Sequence, residues 1–191
     1  MKEKINLEDL FSKNPKVKYG CARKLLITAE NSPASLYSDF DYFATLINSE
    51  NRIIKWTAID IIGHLSRVDK GKKIDRLIGK LFNLLDSGEL ITANHAISAL
   101  SNIALAKPQY QNKITGELLK VEHYNYDTDE CRNIAVGKVI LALGSYVGSL
   151  LGNKSVIEFT KRQTANARPA TSKKAEHLLT KLSKIDSKTN R

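Results

Sequence analysis

Proline and glycine are scarce in this sequence, 4 and 10 among 191 residues, which excludes a collagen-like or low-complexity chain. Strand-like stretches are missing too. No run of four to eight residues alternates strictly between apolar and polar or is bounded like a strand, so an all-α fold is expected. No window approaches the roughly 18 consecutive apolar residues that a membrane span needs, so no membrane association is expected. The opening MKEKINLEDLFSK is charged and has no apolar core, so no secretory leader is expected. Cysteine occurs only as Cys21 and Cys131, which form neither a metal spacing nor a disulfide framework. Each stands in an apolar helical context, where a reduced thiol packs as a small hydrophobe, and a cytoplasmic location is expected. Catalytic signatures are absent as well: no GxSxG, no glycine-rich phosphate loop and no HExxH occurs. His64, His95, His123 and His177 lie at no metal-ligand spacing on one helix face. The expectation is a non-enzymatic protein with no catalytic residue, no cofactor and no metal.

The excess of positive charge, +10, is unevenly spread. Lys and Arg stand against Asp and Glu as 13 to 10 over residues 1–75, and as 7 to 7 over 76–152. Over 153–191 the ratio is 10 to 3, so most of the basicity belongs to the C-terminal fifth.

What the sequence does have is an internal period. Five segments start at Pro15, Asn51, Glu89, Asp129 and Arg168, and each carries apolar residues at a spacing of three and four. Aligned on Ala22, Ala58, Ala96, Ala135 and Ala175, they recur at intervals of 36, 38, 39 and 40 residues. Seven positions after the alanine stand Ala29, Leu65, Ile103, Ala142 and Leu182, all apolar. A small residue in one register has a physical reason, because stacked helices approach closely only where side chains are short. Shorter amphipathic stretches lie between them at 40–48, 74–86, 113–121 and 155–163, and LEDLF supplies an opening helix. Turn chemistry separates the elements at Ser32-Pro33, Asn48-Ser49, Ser87-Gly88, Lys107-Pro108 and Gly152-Asn153.

A helix pair every ~40 residues is the period of HEAT and armadillo arrays. The segments NRIIKWTAIDIIGHLS, ITANHAISALSNIA and CRNIAVGKVILAL resemble HEAT repeats of the short prokaryotic kind, over about residues 15–185. They depart from the consensus by lacking a proline in the first helix and a regular Asp–Arg ladder. The resemblance implies a right-handed α-α superhelix, a HEAT/armadillo-like solenoid of about five helix pairs, forming one domain over residues 1–186 with a frayed tail at 187–191. It also implies a scaffold that binds another macromolecule, a protein first, on its concave face. Residues expected on that face include Lys55, Asn94, Arg132 and Lys173.

Two further readings follow from local clusters. Lys161, Arg162, Arg168, Lys173 and Lys174 gather around the junction of the last two helical segments, where a shared face would bind the phosphates of nucleic acid. A terminal repeat must also turn a polar face to water, so a solvated cap accounts for the same charges. Trp56 and Asp60, four residues apart, fall on one side of a helix. That pair resembles the aromatic and aspartate of HEAT-like alkylpurine glycosylases, which implies base excision. That class also needs several aromatics and an Arg; this chain has a single Trp, with Arg52, Lys55 and Arg132 as nearby cations. The aromatic stretches LYSDFDYF and HYNY suit either a protein interface or the sealing of loops between repeats.

Overall fold

The computed structural model describes residues 5–189, with side chains to residue 184. Among these residues there are nine α-helices, no strand, and short 3-10 turns that extend or join the helices. They are α1 (Pro15–Asn31), α2 (Phe40–Leu46), α3 (Arg52–Leu65), α4 (Lys73–Asn83) and α5 (Leu90–Ala106). α6 (Gln111–Leu119), α7 (Asp129–Ser145), α8 (Lys154–Gln163) and α9 (Pro169–Thr189) follow. Long and short helices alternate, the arrangement of an α-helical repeat, and the five long ones begin within one residue of the five expected starts. LEDLF forms a 3-10 turn, Leu7–Phe11, rather than an α-helix. Residues 187–189 belong to α9; the remainder of the expected tail, 190–191, lies outside the described residues. None of the described helices is long and apolar enough to cross a membrane.

Three of the long helices, α1, α3 and α7, start where short polar side chains take over unpaired backbone N–H groups. Asn14 accepts from Lys16 N, Asn51 from Ile53 N and Ile54 N, and Thr128 from Cys131 N. Gly88 and Gly152, in two of the expected turns, adopt φ of 73° and 69°, values that a side chain at those positions would strain.

The chain groups into two compact units, residues 1–78 and 79–191. In the first, α3 packs against both α1 and α2. Ala22, Ala58, Leu25, Ile61, Ile62, Ala29 and Leu65 are all buried, as the register requires. Polar ties join its elements. Arg67 donates from Nη2 to the carbonyls of Ala29 and Glu30, closing the C-terminal end of α1. Buried Asp69 accepts from Tyr37 Oη at 2.7 Å and from the Lys73 and Ile74 backbone N–H groups, capping α4. Lys73 then reaches Asp41 and lies over the rings of Tyr37 and Phe40. The first aromatic stretch is thus committed largely to holding its own loop.

In the second unit α7 is the central long helix, with α5 on one side and α9 on the other. Ala96, Ala135 and Ala175 are each fully buried. Gly137 allows the closest approach: a Cβ there would lie 2.7 Å from Thr171 Oγ1 of α9. Thr171 is itself buried and donates to the Asn133 carbonyl of α7. Ser101 and Ser145 hydrogen-bond between α5 and α7 at 2.9 Å, and Thr115 of α6 meets Tyr146 at 3.2 Å. Tyr126 donates to the Leu85 carbonyl at 2.6 Å, so HYNY also seals a loop. Burial raises the Tyr126 phenol far above its ordinary pKa and keeps it a neutral donor.

Candidate functional site

The second unit carries two adjoining grooves along its long helices. One, of about 450 Å³, lies between α7 and α9; its lining includes Ile140, Leu141, Lys173, Lys174, His177 and Lys181. The other, of about 220 Å³, lies between α5 and α7 and is lined by Ser98, Ser101, Asn102, Lys138, Leu141 and Ala142. Leu141 belongs to both and stands 53% exposed, a large apolar side chain held out to solvent. Helical spacing explains the band, since residues 138, 141 and 145 on α7 and 173, 177 and 181 on α9 recur every three to four positions along one side.

Charge sets this surface apart. No carboxylate among the described residues lines either groove. Among the described residues, Lys138, Lys173, Lys174 and Lys181 form no ion pair. Burial lowers the pKa of the half-buried Lys174 ammonium, and the neighbouring cations Arg168 and Lys138 lower it further. The arrangement therefore offers unneutralised positive charge beside an apolar ridge.

The structure redistributes the basic cluster expected from sequence. Lys173 and Lys174 enter the α7–α9 groove. Arg162 instead pairs with Glu122 at 2.6 Å, and Gln163 donates to the same carboxylate. Arg168 pairs with Glu130 of α7 at 2.8 Å. These two guanidiniums tie α8 and α9 to earlier elements of the unit. Lys161 is exposed on α8 and lines neither groove. Arg132 pairs with Asp129 one turn away at the start of α7. Asn94 is half-buried on α5, one turn before Ser98, whose hydroxyl donates to its carbonyl. Its Oδ1 is buried and accepts no hydrogen bond.

Lys55 lies half-buried on α3 in the first unit. Trp56 and Asp60, on the same helix, are also half-buried, and each already has an interaction partner. His64 is half-buried too, and burial lowers its pKa. Among the described residues no group of three or more His, Cys, Asp or Glu side chains gathers to hold a metal ion. Cys21 and Cys131 are both free thiols.

Sequence reasoning passed over Lys138, Leu141 and Lys181, yet the repeat register marks the first two. Three positions after the central alanine stand Leu25, Ile61, Ala99, Lys138 and Leu178, with Lys138 the polar exception. Six positions after it stand Thr28, His64, Asn102, Leu141 and Lys181, with Leu141 the apolar exception. Both departures fall on α7 and meet at the same surface.

Neither a protein-family model nor a curated protein matches the chain. Among solved structures, an engineered protein aligns over 91% of this chain at 17% identity, with a TM-score of 0.54. The chain spans 46% of that protein's length. A second engineered protein aligns at 13% identity over 93% of this chain and 94% of its own, with a TM-score of 0.47. A designed armadillo repeat protein aligns at 14% identity over 92% and 97%, with a TM-score of 0.40. At such identity, the first likeness is one of fold.

Proposed function

We propose that this chain is a non-enzymatic helical-repeat platform that binds another protein across the grooves between α5, α7 and α9. The observation that carries this reading is the pair of adjoining grooves around Leu141, rimmed by lysines and, among the described residues, without a carboxylate. Exposed apolar side chains beside unpaired charge are what a partner surface needs: one supplies area to bury, the other selects and steers the partner. Repeat folds present such surfaces because each helix pair contacts only its neighbours and leaves its remaining faces open. Free thiols at Cys21 and Cys131 suit a reducing compartment such as the cytoplasm.

Nucleic acid is the second reading, favoured by the same lysines. It is weaker here because, His177 apart, neither groove is lined by an aromatic ring on which a base could stack.

The test is selection from a displayed peptide library on the full chain, beside a variant carrying Lys138→Glu, Lys173→Glu and Lys181→Glu. Ligands that bind the native protein and fail on the variant are expected. Recovery of no ligand, or only of ligands indifferent to the three reversals, overturns the platform reading.

A further inference from the structure

We infer that the α7–α9 groove takes an acidic amphipathic helix, seated with its apolar stripe against Leu141, Ile140 and Leu178 and its carboxylates towards Lys138, Lys173, Lys174 and Lys181. This rests on the platform reading and names the chemistry of its partner.

Three observations converge on that occupant. The first is shape. Two long, neighbouring helices leave a trough of about 450 Å³, within the range of clefts that receive ligand side chains. An amphipathic helix fills such a trough with residues at i, i+3, i+4 and i+7. The second is composition. Ile140 and Leu178 are buried in the wall, whereas Leu141 projects into solvent. A strictly electrostatic ligand would gain nothing from an exposed leucine, while the apolar stripe of a helix would cover it.

The third observation is charge complementarity. Lys173, Lys174 and Lys181 of α9 line the trough, Lys138 of α7 lines the adjoining groove beyond Leu141, and among the described residues neither lining contains an acid. Elsewhere in this unit the cations Arg132, Arg162 and Arg168 are neutralised by Asp129, Glu122 and Glu130. The groove lysines have no such partner and are open to an external carboxylate. A basic partner would meet like charge from Lys173, Lys174 and Lys181 along the α9 wall of the groove, which disfavours it. Nucleic acid would satisfy the lysines and leave Leu141 uncovered.

The experiment compares four labelled probes by fluorescence anisotropy on the full chain. They are a Leu/Glu amphipathic peptide of about five helical turns (~18 residues), the same composition with its apolar periodicity scrambled, the periodic peptide with Gln for Glu, and a single-stranded oligonucleotide. The periodic acidic peptide is expected to bind most tightly. Leu141→Ala should weaken it about tenfold, and Lys173→Glu with Lys181→Glu should abolish binding. Thermal unfolding should show each variant folded, since residues 141, 173 and 181 are exposed. Equal affinity for the scrambled peptide, no effect of Leu141→Ala, or binding of none of the probes overturns the acidic-helix inference. Tighter binding of the oligonucleotide overturns it as well. In each case the platform reading is judged separately, by whether the library yields ligands sensitive to the charge reversals.

Discussion

The two units use the same repeat differently. Residues 1–78 carry 14 cations and 10 anions, and 79–191 carry 16 and 10, so net charge alone separates them little. What differs is where the polar groups go. In the first unit they are turned inward: Arg67 closes α1, Asp69 caps α4, and Tyr37 and Lys73 complete the same network. In the second unit α9 is held by a close glycine contact and by the Arg168–Glu130 ion pair, while Arg162–Glu122 holds α8, which leaves four lysines facing the two adjoining grooves. Polar residues spent on internal ties are closed to a partner, whereas packing by small residues keeps the lysines of α9 available.

The largest expected effect lies in the first unit. Asp69→Ala leaves the part-buried Lys73 and buried Ile74 backbone donors and the Tyr37 hydroxyl without this acceptor. It should destabilise by about 2–3 kcal/mol in a denaturant titration, the scale of a lost cap plus unsatisfied buried donors. A loss within 0.5 kcal/mol would show that the inward network is dispensable and erase the contrast.

Next is the glycine contact of the second unit. Gly137→Ala should cost about 1–3 kcal/mol by overpacking against Thr171 Oγ1, 2.7 Å from the new carbon. In a Thr171→Ala background the added cost should shrink, and a double-mutant cycle reads that coupling directly. Simple additivity would mean that α9 does not depend on the close approach.

Arg67→Ala should cost less, about 1 kcal/mol, because its guanidinium bonds two helix-end carbonyls from a position exposed to solvent. The check is the shift in denaturation midpoint.

The smallest effects are those of pH, and they fall at opposite ends of the scale. Burial lowers the His64 pKa from 6.5, so below 6.5 the unfolded chain binds more protons than the folded one. Stability should fall as pH drops from 6.5 through the folded value, and His64→Gln should remove that slope. Burial and neighbouring cations lower the Lys174 pKa from 10.5, so the unfolded chain again holds more protons below 10.5. Stability should rise as pH climbs through the folded value towards 10.5, and Lys174→Met should flatten the rise. Thermal melts across pH read both, and a slope unchanged in either variant would assign it to another group.

Much of the fold could be read without the structure. The alanine register located the five long helices because close helix packing demands a short side chain once per repeat, and turn residues marked the linkers. The site was legible only in part. Lys173 and Lys174 were identified, but Arg162 and Arg168 stood in the same cluster and looked equivalent. Their partners, Glu122 and Glu130, lie about 40 residues earlier, a distance over which no local rule operates. Lys138 and Leu141 were visible as exceptions to the register, though an exception alone does not say whether it faces solvent or core.

Sequence alone determined that this chain is an α-helical repeat, where its helices begin, and that its basic residues concentrate late. Those properties follow from periodicity, capping and composition, which are local. Only the tertiary structure decided which cations are neutralised and which remain available, and that Leu141 stands among the latter. Pairing depends on which side chains the stacking of α5, α7 and α9 brings within a few ångströms, and that proximity exists only once the helices have packed.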